Sequence, residues 1–307
     1  MLNSALFDQF RLTCCERQLG VYGIHVYQAG QGEIEHRFRA DDRVHVQSAS
    51  KTFTAMAVGQ CLAEGRLTLT DRVLDLFPEW ASVASPGSEA ITLTDLLHMC
   101  SGKDYPMFEI TDDDEVYATD WAELFFRGQV ATTPGSHFFY ANACTYMLSR
   151  TVERVSGEVL RQYLTSRLFE PLRILNPPWN TCPRGHTVGA YGLQLTTSEL
   201  ARIGRLMLQS GQWRDDQVVP ADYVAAMHTD IVAPGGHFPD EESNVGYGYQ
   251  VWLNTTPGTW RADGMYGQFS IVLPDQQAVV TTTSHNETGA NNIIRAVFAD
   301  IVPKLGS

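Results

Sequence analysis

Apolar residues alternate with polar ones near the two ends of this chain and recur at helical spacing through its middle. Leu2 to Leu19 follows a helical pattern that Gly20 closes. Val21 to Tyr27 and Glu33 to Phe38, joined across Gly30 to Gly32, read as a hairpin, and Val44 to Gln47 as a short strand. Phe53, Met56, Ala57 and Cys61 then fall on one helical face between Thr52 and Glu64, and Gly65 stops the run. Thr92 and Asp95 have capping-box spacing for a helix through Leu97. Further helices are expected over Asp120 to Arg127, Ala143 to Ser156, Glu158 to Phe169 and Ser198 to Gln209. Strand patterns return at Gly248 to Leu253, Thr259 to Ala262, Gln268 to Leu273 and Ala278 to Thr283, before a closing helix from Asn291 to Val302. Sheet at both ends with helices between predicts an α/β chain of the α+β type: an antiparallel sheet flanked by helices, plus a mostly helical lobe. We read one domain over 1–307, with a sheet lobe from 1–68 and 246–307, a helical lobe from 69–245, and the active site in the cleft between them.

Composition narrows what the cleft can serve. The 307 residues carry 35 acidic against 22 basic side chains, a formal charge of −13, which argues against nucleic acid or an acidic membrane surface as partner. Met1 to Leu12 lacks the basic start and apolar core of a secretion signal, and no stretch approaches a membrane span. The six cysteines show no metal-ligand spacing and read as reduced thiols, hence a cytoplasmic protein. No cofactor and no metal are expected, and the oligomeric state stays open.

The chemistry begins at Ser48-Ala49-Ser50-Lys51, at the head of the apolar run. Residues i and i+3 share a helix face, so the Lys51 amine can reach the Ser48 hydroxyl. A hydroxyl is a weak nucleophile at its own pKa, and a lysine in a dry, electropositive place gives up its proton more easily and can act as the activating base. A helix N-terminus supplies such a place and favours the oxyanion formed after attack. Only three lysines occur in the chain, Lys51, Lys103 and Lys304, so the pairing is uncommon by chance. The bland reading is a helix-capping serine beside a surface lysine.

A second stretch, Pro134 to Asn142, places Tyr140-Ala141-Asn142 after a Pro-Gly turn and just before a helix. Ser-x-x-Lys, Tyr-Ala-Asn and a Gly-rich strand near the C-terminus together resemble the serine β-lactamase and penicillin-binding-protein superfamily, nearest to class C β-lactamases and related esterases and D-amino-acid peptidases. Leu96 to Gly102, Gly192-Leu193, Thr197 to Gly204 and Tyr247-Gly248-Tyr249 extend the resemblance over most of the chain. It implies a β-lactamase/transpeptidase-like fold in which Ser48 is the nucleophile, Lys51 and Tyr140 share the proton transfers, and Asn142 positions a substrate amide. A phenol titrates near 10, and nearby cationic or hydrogen-bonding groups would be needed to lower it. Which of Lys51 and Tyr140 takes the first proton stays open, because coupled groups titrate as a unit.

The third stretch departs from the family. Where penicillin-recognising members have Lys-Thr-Gly and many esterases His-x-Gly or Trp-x-Gly, this chain offers Ala262-Asp263-Gly264. Ala262, Gly264 and Met265 are the expected substrate-binding positions, with the Met265 N–H beside that of Ser48 as the oxyanion hole. Arg261 is a substitute for the missing cation only if a bulge brings it to the cleft. His137 and His285 read as surface histidines, and Asp112 to Glu115 as a solvated acidic loop that would favour cationic substrates if it borders the cleft. The expected activity is a metal-free serine hydrolase acting through a Ser48 acyl-enzyme on a small-molecule ester or amide, an esterase or amidase more than an efficient β-lactamase. The alternatives are a catalytically silent member that binds a peptide or acyl ligand, and an acyltransferase using the same residues.

Overall fold

The computed structural model describes residues 1–104, 119–236 and 238–306; the acidic run Asp112 to Glu115 lies outside them. In chain order the strands are β1 Val21–Gln28, β2 Gly32–Arg37, β3 Val44–His45, β4 Gln194–Leu195, β5 Gln212–Trp213, β6 Asp216–Gln217, β7 Trp252–Leu253, β8 Trp260–Gly264, β9 Gln268–Leu273 and β10 Ala278–Ser284. Six of them form one sheet in the order β2-β1-β10-β9-β8-β7, every pair antiparallel. The amino-terminal hairpin therefore lies beside the carboxy-terminal strand, with Gln28 opposite Ala278.

Alternation along the strands decides what each face meets. Ile24, Val26, Phe269, Ile271 and Val280 point to one face, where they pack with Phe10 of helix α1 (Asp8–Glu16) and with Ile293 and Ile294 near the carboxy terminus. The opposite face carries Gly23, Ser270 and Val279 and is covered by the helix Thr197–Leu208. That helix approaches closely because Gly204 has no side chain; a Cβ there would sit 2.2 Å from the Ser270 hydroxyl oxygen and 2.7 Å from Val279. The segment expected to form the helical lobe thus lends one helix to the sheet. With both faces covered, β9 and β10 are buried throughout and read as unbroken apolar or small-residue runs.

On the helical side, α2 (Ser50–Ala63) is nearly all buried and packs against Asn142–Ser156. Numbered onward, α3 is Leu93–Leu97, α4 Trp121–Arg127, α5 Asn142–Ser156, α6 the sheet-covering Thr197–Leu208, α7 Ala221–Thr229 and α8 Asn291–Ala296. The expected capping box is present on α3, where Thr92 and Asp95 satisfy each other's backbone N–H groups, and Gly157 ends α5 at φ 77°. Two differences from expectation share a cause. The helices over 158–169 and 291–302 finish as π-type turns, Thr165–Phe169 and Val297–Ile301, and only Trp252–Leu253 of the stretch from Gly248 pairs as a strand. Tertiary packing, not local pattern, sets such ends. One buried amide ties the helical side together: Gln250 accepts from Thr145 at 2.6 Å, donates to the carbonyls of Leu96 and Leu97 at 3.2 and 2.8 Å, and its own carbonyl accepts from Thr52 at 3.0 Å.

Candidate active site

Ser48 lies in a single 3-10 turn, Gln47–Ala49, between β3 and α2. Gln47 takes a left-handed φ of 51°, which turns the chain sharply before the helix. Ser50 holds the turn: its hydroxyl donates to the Gln47 carbonyl at 2.6 Å and is fully buried, while Ser48 stays half-buried at the helix mouth. The two serines therefore point to different environments.

Lys51, in the first turn of α2, is 1% exposed. Its Nζ lies 3.2 Å from Ser48 Oγ, 2.7 Å from Asn142 Oδ1 and 2.8 Å from the Ala190 carbonyl. Burial brings its pKa down to about 7, against smaller upward pulls from Cys144 and Asp263. A neutral amine has two N–H donors and one lone pair. Asn142 Oδ1 and the Ala190 carbonyl are acceptors, so they take the two donors and leave the lone pair for the Ser48 O–H. The Ala190 carbonyl was invisible to residue-type reasoning, because a backbone acceptor leaves no mark on side-chain identity.

Tyr140 reaches the same point from the loop before α5. Its hydroxyl is hydrogen-bonded with Ser48, and Lys51 Nζ lies 5.0 Å from its ring centroid. The ring packs on Tyr247 and Trp252, at centroid distances of 5.9 and 5.7 Å. The expectation of a lowered phenol pKa is corrected. Burial pushes it well above its usual value, the Asp263 charge adds to the rise, and the hydrogen bond shared with Ser48 offsets only part. With its own pKa brought down to about 7, Lys51 carries a full positive charge only below neutral pH and so does little to pull the phenol down. Asn142 is the first residue of α5 and caps nothing; the cap position is Ala141.

The strand side of the cleft is built from backbone. Gly264 ends β8 against the nucleophile's turn: a Cβ there would lie 2.2 Å from the Val46 carbonyl oxygen and 3.2 Å from the Ala49 nitrogen. Met265 follows directly, its side chain 61% exposed. Ala262 is corrected as a substrate-contacting side chain, since it is fully buried within the apolar core shared with the helices and reaches no open cleft. Arg261 does not replace the missing cation. It is fully buried on the opposite face, donating to Asp263 at 2.7 Å, Asn254 Oδ1 at 2.7 Å, the Glu242 carbonyl at 3.0 Å and the Leu253 carbonyl at 3.1 Å. Asp263 is 21% exposed in its side chain, and its charge is felt at both Lys51 and Tyr140. Of the two histidines, His137 is exposed, and His285 packs at a tilt against Tyr266, with ring centroids 4.6 Å apart, and pairs with Glu287 at 3.1 Å.

A family model described as Beta-lactamase matches residues 19–300. The 6-aminohexanoate-dimer hydrolase of Paenarthrobacter ureafaciens is 28% identical over 236 residues, covering 70% of this chain and 57% of that protein. Lovastatin esterase of Penicillium rubens is 26% identical over 192 residues, covering 56% and 48%. The chain thus spans about half the length of these curated relatives. A solved structure of a D-stereospecific amidohydrolase from Streptomyces sp. superposes with a TM-score of 0.72 at 20% identity, covering 98% of this chain and 99% of the other, a likeness of fold.

Proposed function

The chain belongs to the beta-lactamase family, and from that premise we propose that it is a serine hydrolase that opens an ester or amide through a Ser48 acyl-enzyme. The observation that carries this reading is the seat of Lys51: a buried amine whose two N–H donors have acceptors and whose remaining site meets Ser48 Oγ at 3.2 Å. Ser48 attacks the carbonyl carbon and passes its proton to Lys51 Nζ. The carbonyl oxygen becomes an oxyanion facing the N–H groups of Ser48 and Met265. Tyr140, held protonated by burial, gives its proton to the departing alcohol or amine as the tetrahedral intermediate collapses, and Lys51 restores it. Water then enters by the reverse route and frees the acid. Asn142 keeps its amide NH₂ for the substrate while its oxygen orients Lys51.

Asp263 sets the substrate class in this proposal. A carboxylate near the reacting centre disfavours anionic substrates such as penicillins and cephalosporins and leaves neutral or cationic short esters and amides as the preferred ones. Free thiols at all six cysteines support a reducing, cytoplasmic setting. The test is intact-protein mass spectrometry after exposure to a fluorophosphonate and a small ester panel. Ser48→Ala should abolish the adduct, whereas Ser50→Ala, altering a hydroxyl already committed to Gln47, should keep it. An adduct that survives Ser48→Ala sinks the reading.

A further inference from the structure

On the far side of the sheet from β8, a cavity of about 380 Å³ opens between β1, β2, α6 and the β5–β6 hairpin. The sheet order separates β1 from β8 by three strand spacings, roughly 14 Å, so this is not an extension of the Ser48 cleft. Its lining reverses the charge of the molecule. Arg173, Arg202, Arg205 and Arg214 meet there against the single carboxylate of Glu33, in a chain whose formal charge is −13.

Each arginine reaches the cavity from a different constraint. Arg202 and Arg205 project from α6; Arg202 donates to the Leu172 and Arg173 carbonyls at 2.9 and 2.6 Å, and Arg205 lies over the rings of Tyr27 at 4.2 Å and Trp213 at 4.8 Å. These contacts hold the two guanidinium planes in place and leave N–H donors unspent. Arg173 and Arg214 sit at left-handed backbone positions, φ 54° and 55°, where glycine or asparagine is the usual choice. Among the described residues neither side chain has an ion pair or hydrogen bond.

A second observation is independent of the arginines. His25, on β1, lines the cavity at 5% exposure, and its Nδ1 has no hydrogen-bond partner; its other nitrogen lies 3.8 Å from Glu33. The indole nitrogen of Trp213, also lining the cavity, is buried and unpartnered as well. Buried polar nitrogens are ordinarily satisfied, and these two, closed off just behind the cavity wall, are polar groups that the protein itself leaves without a partner there.

We propose that this cavity binds a small organic oxyanion carrying two or more negative charges, a phosphorylated or polycarboxylate metabolite. Guanidinium forks match such oxygens two at a time, and the aromatic faces of Tyr27 and Trp213 border the rest of the ligand. The inference does not depend on the activity assigned to Ser48. Isothermal titration and thermal-shift measurements on the intact protein, at ionic strength fixed with sodium chloride, test it with sodium pyrophosphate, sodium citrate and, as monoanion, sodium acetate. The expected result is saturable binding of pyrophosphate or citrate with little response to acetate; whichever of the two binds distinguishes a phosphate from a carboxylate ligand. Arg173→Gln/Arg214→Gln should weaken it at least tenfold. Both residues are exposed and unpaired, so the variant folds. The charge-matched Arg17→Gln/Arg72→Gln variant, altered at exposed sites elsewhere, and Ser48→Ala should bind as the parent does. No saturable binding of either polyanion, equal loss in the Arg17/Arg72 control, or loss in Ser48→Ala would overturn it.

Discussion

The two walls of the cleft hold their shape by different means. The helix wall is a closed set of side chains, in which Lys51, Ser48, Asn142 and the Ala190 carbonyl spend their hydrogen bonds on one another in a dry pocket. The strand wall presents backbone: Gly264 pressed on the Val46–Ala49 turn, Met265 beyond it, and a charge pair, Arg261 with Asp263, behind. The difference teaches that reactivity and selectivity are separable here. Changes to the helix wall, or to the backbone at Gly264 and Met265, should alter the chemical step for every substrate, whereas a change to the Asp263 side chain should alter which substrates are handled.

The largest effect that could break this comparison belongs to the helix wall. Lys51→Ala and Tyr140→Phe are each expected to lower kcat by about 10²- to 10⁴-fold with the thermal transition retained, and the double variant should be little worse than the poorer single one. Losses that multiply fully in steady-state kinetics would show that Lys51 and Tyr140 do not pass one proton between them. On the strand wall, Gly264→Ala should come next. Its Cβ would overlap the Val46 carbonyl, so the end of β8 must move away from Ser48, and the loss of one oxyanion donor is typically worth about 10²- to 10³-fold in kcat. Unchanged kcat would remove Met265 from the oxyanion site.

Much of the helix wall was legible because its residues are close in sequence or announced by local punctuation. Ser48 and Lys51 are one helical turn apart, and Tyr140 and Asn142 sit between a Pro-Gly turn and a helix start. The six-stranded frame was legible in the same way, from alternation and turn residues. The strand wall was harder. Nothing in Arg261-Ala262-Asp263 states which face of β8 meets the core, and that depends on β9, where Ala262 pairs with Ser270 and Asp263 with Phe269. Helix α7 escaped notice although it packs Tyr223, Val224 and Met227 inward, since three inward positions in nine residues make a weak stripe. The arginine-lined cavity draws on positions from 25 to 214 that only the fold collects.

A smaller effect would sharpen the comparison. Asp263→Asn should raise the turnover of an anionic cephalosporin relative to a cationic ester by roughly tenfold, as one charge at moderate range allows. Taking the ratio cancels any stability lost when Arg261 forfeits its nearest carboxylate. An unchanged ratio would take substrate choice away from Asp263. The smallest effect concerns Lys51 and stability. Its folded pKa of about 7 lies below the unfolded value of 10.5, so between those pH values the unfolded chain binds the extra proton. Stability from this residue should therefore rise with pH through that window, by up to about 1.4 kcal/mol per pH unit, with the full burial cost felt below pH 7. Chemical denaturation of the parent and Lys51→Met from pH 6 to 10 measures the difference, and kcat/KM of the parent should climb through pH 7 as Lys51 loses its proton. A pH-independent stability gap would mean that the amine is not titrating in this range.

The neighbours that β1 keeps have a consequence for how the molecule is made. Val21 to Gln28 pairs on one side with β2, a few residues later, and on the other with β10, near the far end of the chain. At ribosomal rates of about 5–20 residues per second, the hairpin waits roughly ten seconds to a minute before its second partner exists. Through that interval Ile24 and Val26 have no completed sheet to enter, and Gln250, which ties the helices around Lys51, has also not been made. The nascent hairpin thus keeps one edge and its apolar positions uncovered until β10 is made, and the pocket around Lys51 cannot be completed before Gln250 has been added.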